Sequence, residues 1–192
     1  MQTGTEEKAM ENTPQADPPP GGFPVRRAVA LVLGQAALII ACDQVTKAAI
    51  TARYQPCGNP TFYPVLGPHA GFSYVCNTGT AFSRLANNPF VWLPVGIAVA
   101  AVVWLWVRSL EAPRLAQQLA FGLILGGAVG NLIDRARLGY VVDFVDLRLT
   151  DTLRWYVFNV ADSAICIGVA LLALAYWRAA PAPQPAPRPR EG

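Results

Sequence analysis

Four long apolar stretches, broken by short polar ones, organise this sequence. From Leu85 to Val107 no Asp, Glu, Lys or Arg occurs in 23 residues, and from Leu115 to Ile133 none occurs in 19. The stretch from Ala28 to Ile50 is apolar except for Asp43 and Lys47 near its far end, and from Trp155 to Trp177 only Asp162 interrupts. A helix needs about 20 largely apolar residues to cross about 30 Å of hydrocarbon. The pattern therefore predicts four transmembrane helices, over about 28–50, 87–107, 115–133 and 158–178. Shorter apolar runs are also found as buried core helices, but the polar chain left here is too little to cover four of them. Arg26 and Arg27 ahead of the first stretch imitate a signal peptide. Its length, the lack of a small-residue cleavage site before a soluble domain, and the three spans that follow mark it as a retained helix.

Composition agrees with this reading. Charged residues make up 14% of the 192, against roughly 25% in a soluble domain, and mean hydropathy is +0.32. The net charge of +3 is scattered rather than striped, which argues against nucleic acid as a partner. Four Cys without a Cys-x-x-Cys pair, and the single His69, offer no zinc or iron–sulfur ligand set. Neither a metal nor another cofactor is expected. Residues 1–24 and 179–192 are Pro-rich and polar or small, and read as disordered tails around one unit over 25–178.

Basic residues in short flanks set orientation. Arg26 and Arg27, then Arg108 and Arg114, then Arg178 place both termini and the middle turn in the cytoplasm, although the opposite side carries as many basic residues. Two segments then face outward, 51–84 and 134–154. Pro56, Pro60, Pro64, Gly67, Pro68 and Gly71 punctuate the first, around β-prone pieces such as Thr61–Tyr63 and Gly71–Val75, so it reads as a small strand-and-turn cap. The second holds the apolar run 138–149 with spaced acids, which suits an interfacial segment anchored by Trp155 and Tyr156. The expected architecture is an all-α four-helix membrane bundle with a small outer β-cap. Whether Cys57 and Cys76, both outside, pair is left open.

The polar residues at membrane depth carry the chemistry, because ionisable groups there are costly and mark function. Asp43-Gln44-x-x-Lys47 sets an acid and a base at i and i+4; Asn77-x-Gly79-x-Ala81-Phe82 lies at the mouth of the second span. Gly126-Gly127-x-x-Gly130-Asn131-x-x-Asp134-Arg135 leads out of the third, followed by Val142-Asp143-Phe144, and Phe158-Asn159-x-Ala161-Asp162-Ser163 opens the fourth. All four groups fall at the outer ends of the helices, where they can converge. Asp43 with Lys47, and Asp134 with Arg135, read first as structural ion pairs, the glycines as close helix packing, and the asparagines as interhelical hydrogen-bond partners. Asp162 differs in lying in an apolar helix with no basic residue at i±3 or i±4, and Asp143, flanked by Val142 and Phe144, is likewise an acid in an apolar context. Two carboxylates brought together share a proton, so one can polarise water while the other protonates a carbonyl. A proton-coupled transporter fits an acid pair at membrane depth almost as well. The clustering at one end disfavours it, because transport needs a polar path to both faces.

Taken in this order around four spans, these motifs resemble lipoprotein signal peptidase, the signal peptidase II family, over about residues 28–178. The resemblance implies a multi-pass aspartic endopeptidase of the bacterial inner membrane, with its active site at the periplasmic face. It would cleave prolipoproteins just before a Cys that carries diacylglyceryl. The implied catalytic pair is Asp143 and Asp162, with Asn77, Gly79, Asn131, Arg135, Asn159 and Ala161 lining the site for substrate and for globomycin-type inhibitors, and Asp43, Lys47 and Asp134 supporting it. Segment 51–84 corresponds to the family's periplasmic β-cradle and 138–149 to a mobile flap. The long N-terminal tail, and Thr78 and Thr80 around Gly79, depart from the family pattern without touching the acid pair.

Overall fold

The computed structural model describes residues 24–54, 61–79, 92–150 and 153–179. Helix α1 (Val25–Arg53) leads into strands β1 (Tyr63–Leu66) and β2 (Ala70–Asn77); α2 (Trp92–Ser109), α3 (Leu115–Leu138), β3 (Val141–Leu147) and α4 (Val160–Ala179) follow. Among the described residues, α1, α3 and α4 are long and apolar enough to cross a membrane, and the apolar part of α2 over Gly96–Ser109 is shorter. The tails and most of the stretch between β2 and α2, including residues 87–91 of the expected second span, lie outside the described residues.

Helix α3 is the central element: 61% of its most apolar window is buried, against 22% for α1 and 17% for α4. Glycines make this approach possible, as small residues do between membrane helices. A Cβ on Gly126 would stand 2.8 Å from the Ile39 side chain and 3.0 Å from Ala36 of α1, and one on Gly127 would collide with the Ala161 carbonyl of α4. Adjacent glycines thus admit two different neighbours. Lower down, Val32, Ala36, Phe121 and Leu125 form an apolar core, against which Val102 and Trp106 of α2 and Leu172 of α4 pack. The outward faces of the helices carry exposed Leu33, Leu38, Val45, Trp104, Ile167, Val169 and Trp177. So much exposed apolar surface is an aggregation liability in water and the normal lining in lipid.

The three strands form one antiparallel sheet in the order β1-β2-β3. It sits over the end of α1, where Ile50, Tyr74, Val142 and Phe144 make a second core. Two expectations are corrected here. The third helix runs on to Leu138, past the expected end of the third span at residue 133, so Asp134 and Arg135 belong to α3. It ends only at Gly139, whose φ of +79° accommodates the left-handed cap in which its N–H donates to the Arg135 carbonyl. The run 138–149, expected as an interfacial or flap-like segment, is largely strand β3, paired with β2 from Val141 to Leu147. Its backbone groups find partners in that ladder, and burial follows. Trp155 and Tyr156 remain exposed, at 62% and 91%.

Candidate active site

Four elements meet beneath the sheet: the last third of α1, the end of α3, β3, and the first turn of α4. One centre of the site is Lys47, 3% exposed. Its Nζ lies 2.8 Å from Asp43 Oδ2 and 2.8 Å from Asp134 Oδ2, and donates to Asn131 Oδ1 at 3.0 Å. An ammonium has three donors and no acceptor, so all three are engaged. The two carboxylates are also held from elsewhere. Asp43 Oδ1 accepts the backbone N–H of Ala161 at 3.0 Å, which places a negative charge at the N-terminus of α4, the favourable end of the helix dipole. Asp134 Oδ2 accepts the Val142 N–H at 3.1 Å, tying α3 to β3. Gln44 Nε2 donates to Asp134 Oδ1 at 2.9 Å, and to the Gly130 carbonyl and Asp43 Oδ2, each at 3.2 Å. Gly130 is needed because a Cβ there would stand 2.8 Å from Asp43 Oδ2.

The expected ion pair of Asp43 with Lys47 is present. That of Asp134 with Arg135 is not: Asp134 pairs with Lys47, and Arg135 donates to the Asn131 carbonyl at 3.3 Å. Successive residues on a helix point about 100° apart, so neighbours in sequence diverge once α3 continues through them.

From Lys47 the network reaches the second pair of acids through two asparagines. Asn131 accepts from Lys47 and donates to Asp162 Oδ1 at 2.7 Å. Asn159, fully buried, donates from Nδ2 to Asp143 Oδ1 at 2.7 Å and to Asn131 Oδ1 at 3.1 Å. Asn159 also precedes α4 and caps it reciprocally. Its Oδ1 accepts the Asp162 N–H at 2.8 Å, while Asp162 Oδ2 accepts the Asn159 N–H at 3.3 Å. On the sheet side, Asn77 Nδ2 donates to Asp143 Oδ2 at 2.9 Å. The Asn77 amide is turned this way because its Oδ1 accepts the Gly79 N–H at 2.8 Å, in a turn that Gly79 enters with φ +71°.

The two acids are thus held by amide donors, not by cations. Asp143 is 1% exposed. Burial pushes its carboxyl up to about 6; the nearby Asp162 charge adds to this, while the Asn77 and Asn159 hydrogen bonds and the Lys47 charge oppose it. An acid in such surroundings retains a proton that a solvated one would lose. Arg135 is only half-buried and uses one of its five donors on the Asn131 carbonyl. Of the residues singled out in the sequence, Asp43, Lys47, Asn77, Gly79, Asn131, Asp134, Arg135, Asp143, Asn159, Ala161 and Asp162 all fall in this one network. Ala81 and Phe82 lie outside the described residues. Missing from the sequence reading was Asp146, 1% exposed, whose Oδ2 accepts Ser73 Oγ at 2.7 Å. A second acid in an otherwise apolar strand was the available signal.

Apolar helices frame one buried acid, Asp143, and one half-buried acid, Asp162, both held by amide donors, the arrangement of a membrane-embedded protein with a carboxylate site. The model of the family described as signal peptidase (SPase) II matches residues 35–178. A lipoprotein signal peptidase of Moorella thermoacetica is 45% identical over 137 residues, covering 71% of this chain and 86% of the relative. One of Syntrophotalea carbinolica is 42% identical over 147 residues, covering 74% and 88%. A solved bacterial membrane enzyme, determined by the in meso method at 1.9 Å resolution, superimposes with a TM-score of 0.67 at 27% identity, covering 83% of this chain and 98% of that one. The chain belongs to the signal peptidase II family. It is a hydrolase of peptide bonds that removes the signal peptide from prolipoproteins.

Proposed function

We propose that Asp143 and Asp162 are the catalytic dyad, that the substrate is a prolipoprotein bearing diacylglyceryl on its Cys, and that the bond cut is the one just before that residue. The observation carrying this reading is Asn159, which holds Asp143 by its side-chain amide and Asp162 by its backbone N–H, coupling the two acids through one residue. Asp143, whose burial favours the protonated form, donates to the scissile carbonyl oxygen. Asp162 takes a proton from water as the water oxygen bonds to the carbonyl carbon. When the tetrahedral intermediate collapses, the carbon–nitrogen bond breaks, the proton on Asp162 passes to the leaving amine of the Cys, and Asp143 recovers its own. Asn77, Gly79, Asn131, Arg135, Asn159 and Ala161 line the peptide's path, where a globomycin-type inhibitor competes. Asp43, Lys47 and Asp134 hold the helix ends in register.

The same reading has four spans, α2 completing the bundle, in the bacterial plasma membrane, with both tails cytoplasmic and the sheet periplasmic. Support comes from Arg26 and Arg27 at the start of α1, Arg108 and Arg114 around the α2–α3 turn and Arg178 at the end of α4. Cys76, on β2, is disulfide-bonded, which suits an oxidising compartment; Cys57 lies outside the described residues. The lipid of the substrate then lies among hydrocarbon chains and presents the scissile bond at the depth of the acids.

The reading is tested by incubating the purified protein with diacylglyceryl-modified prolipoprotein. Release of the signal peptide is expected, blocked by globomycin, with unmodified precursor cleaved poorly; equal rates for the two precursors would refute the lipid's role. The pH profile makes a separate prediction. Since the dyad must keep one proton and Asp143 titrates at about 6, kcat/KM, which reports the free enzyme, falls as pH rises through about 6. The fall in kcat comes at higher pH, because bound substrate excludes water and favours the neutral carboxyl further. A kcat/KM that stays level from pH 5 to 8 contradicts this assignment.

A further inference from the structure

Strand β2 carries an irregularity that the mechanism above does not use. Ala70, Gly71 and Phe72 pair with Leu147, Asp146 and Val145, whereas Val75, Cys76 and Asn77 pair with Asp143, Val142 and Val141. Between these blocks Ser73 and Tyr74 together oppose Phe144 alone, so β2 holds one extra residue, a β-bulge. Burial shows the same step, with Ser73 and Tyr74 both buried in succession where a regular strand alternates.

The step decides which face of the sheet Asn77 occupies. Were Ser73 and Tyr74 both paired in a regular ladder, with no bulge, the first register would continue, Tyr74 would oppose Asp143, and Asn77 would sit on the opposite face from it. A slip of one residue moves every later side chain to the other face. With the bulge, Asn77 and Val75 share the face of Asp143, and Asn77 is its diagonal neighbour, within reach of Asp143 Oδ2 at 2.9 Å.

We infer that Ser73 and Asp146 are positioning residues for the acid pair: their buried hydrogen bond pins the bulge, and the bulge presents Asn77 to Asp143. The inference rests on the dyad assigned above. Ser73 is the first residue of the bulge, and its hydroxyl donates to Asp146 Oδ2 at 2.7 Å with both residues almost fully buried, at 3% and 1% exposed. The same carboxylate oxygen accepts from Arg148 Nη2 at 3.3 Å. Asp146 Oδ1 is buried without a partner among the described residues. A buried carboxylate is costly unless it is well paired, so its place in the sheet is set by the donors it does have, and Ser73 is the closest. Bulges recur beside active sites for this purpose, re-aiming a side chain that a regular ladder would misdirect.

The test uses the full-length protein in lipid, with diacylglyceryl-modified prolipoprotein, and compares Ser73→Ala, Ser73→Thr, Asn77→Ala and Ser73→Ala/Asn77→Ala. Loss of one positioning hydrogen bond is expected to lower kcat about tenfold in Ser73→Ala, with KM within about twofold. Ser73→Thr, which keeps the hydroxyl, restores the parent rate. The double variant is no slower than Asn77→Ala, because Ser73 acts through Asn77. Both single Ala variants move the alkaline fall of kcat/KM to higher pH, since the Asn77 donor favours the ionised form of Asp143 against the nearby Asp162 charge, alongside the Lys47 charge and the Asn159 amide. General loosening of the sheet would not move that limb. Should Ser73→Ala fail to accumulate, Ser73→Ala/Asp146→Asn removes the buried charge that lost its closest donor while leaving Arg148 an amide oxygen to donate to, and is read in the same way. Parent-like kcat in the Ser73 variant, multiplied losses in the double variant with Asn77, or an unmoved pH limb would each overturn the inference. If Asp143→Asn cleaved normally, the dyad itself would be wrong, a result distinct from any of these.

Discussion

Asp143→Asn and Asp162→Asn are each expected to reduce signal-peptide release to roughly 1% of the parent rate or less, while the protein still inserts and accumulates. Asn keeps the size of Asp and can still accept a hydrogen bond, but it cannot take or give the proton. Proton transfer by a placed side chain contributes about 10²- to 10⁴-fold, and loss of the shared proton removes both roles at once. The cost to stability is one mismatched amide, since Asp143 accepts from Asn77 and Asn159 and Asp162 from the Asn131 amide and the Asn159 N–H, and loss of charge orphans no cation bonded to either acid. Asp43→Asn and Asp134→Asn should give the contrary pattern, lower yield or stability with measurable turnover in the protein that survives. Cleavage kinetics and unfolding curves on the same four preparations separate the two classes. A well-folded Asp162→Asn variant that cleaves at near the parent rate would end the dyad assignment.

Lys47→Met is expected to lower unfolding stability by about 3–5 kcal/mol, the range for breaking a buried ion pair by removing one partner. Lys47 is the cation that Asp43 and Asp134 share at 2.8 Å each, and those carboxylates are 0% and 3% exposed. Met fills much of the volume but leaves two buried acids facing each other without compensation. Asn131 also loses the donor to its Oδ1, so the fault reaches Asp162. Adding Asp134→Asn to Lys47→Met should recover part of the stability by removing one of the uncompensated charges. The check is a denaturant titration in detergent micelles. An unchanged midpoint for Lys47→Met would show that Asp43 and Asp134 do not depend on this cation.

How much of this was legible beforehand depended on which physical signal each residue left in the chain. Hydropathy alone located α1, α3 and α4, because the energy of burying a helix in hydrocarbon is a sum over its own residues and needs no knowledge of neighbours. The same logic exposed Asp43, Lys47, Asp134, Asp143 and Asp162, each conspicuous as a polar group in apolar surroundings, and the i, i+4 spacing of Asp43 and Lys47 foretold their contact. Partners on different elements could not be read this way. That Lys47 reaches across to Asp134, leaving Arg135 aside, follows from how α1 packs on α3 at Gly126 and Gly130, and that Asp43 caps α4 at Ala161 follows from how α4 closes on α3 at Gly127. Strand β3 was misread for a related reason: its apolar run with spaced acids suits an interface as well as a sheet, and only pairing with β2 distinguishes the two. The bulge at Ser73 was the least visible feature, since one extra residue in a strand leaves no mark on composition or spacing. The sequence by itself determined that this chain enters the membrane and which residues are costly to bury there, both being sums of local terms. Tertiary structure alone decided which acids are paired with Lys47 and which are held by amide donors instead, because that depends on distances between elements far apart in the chain.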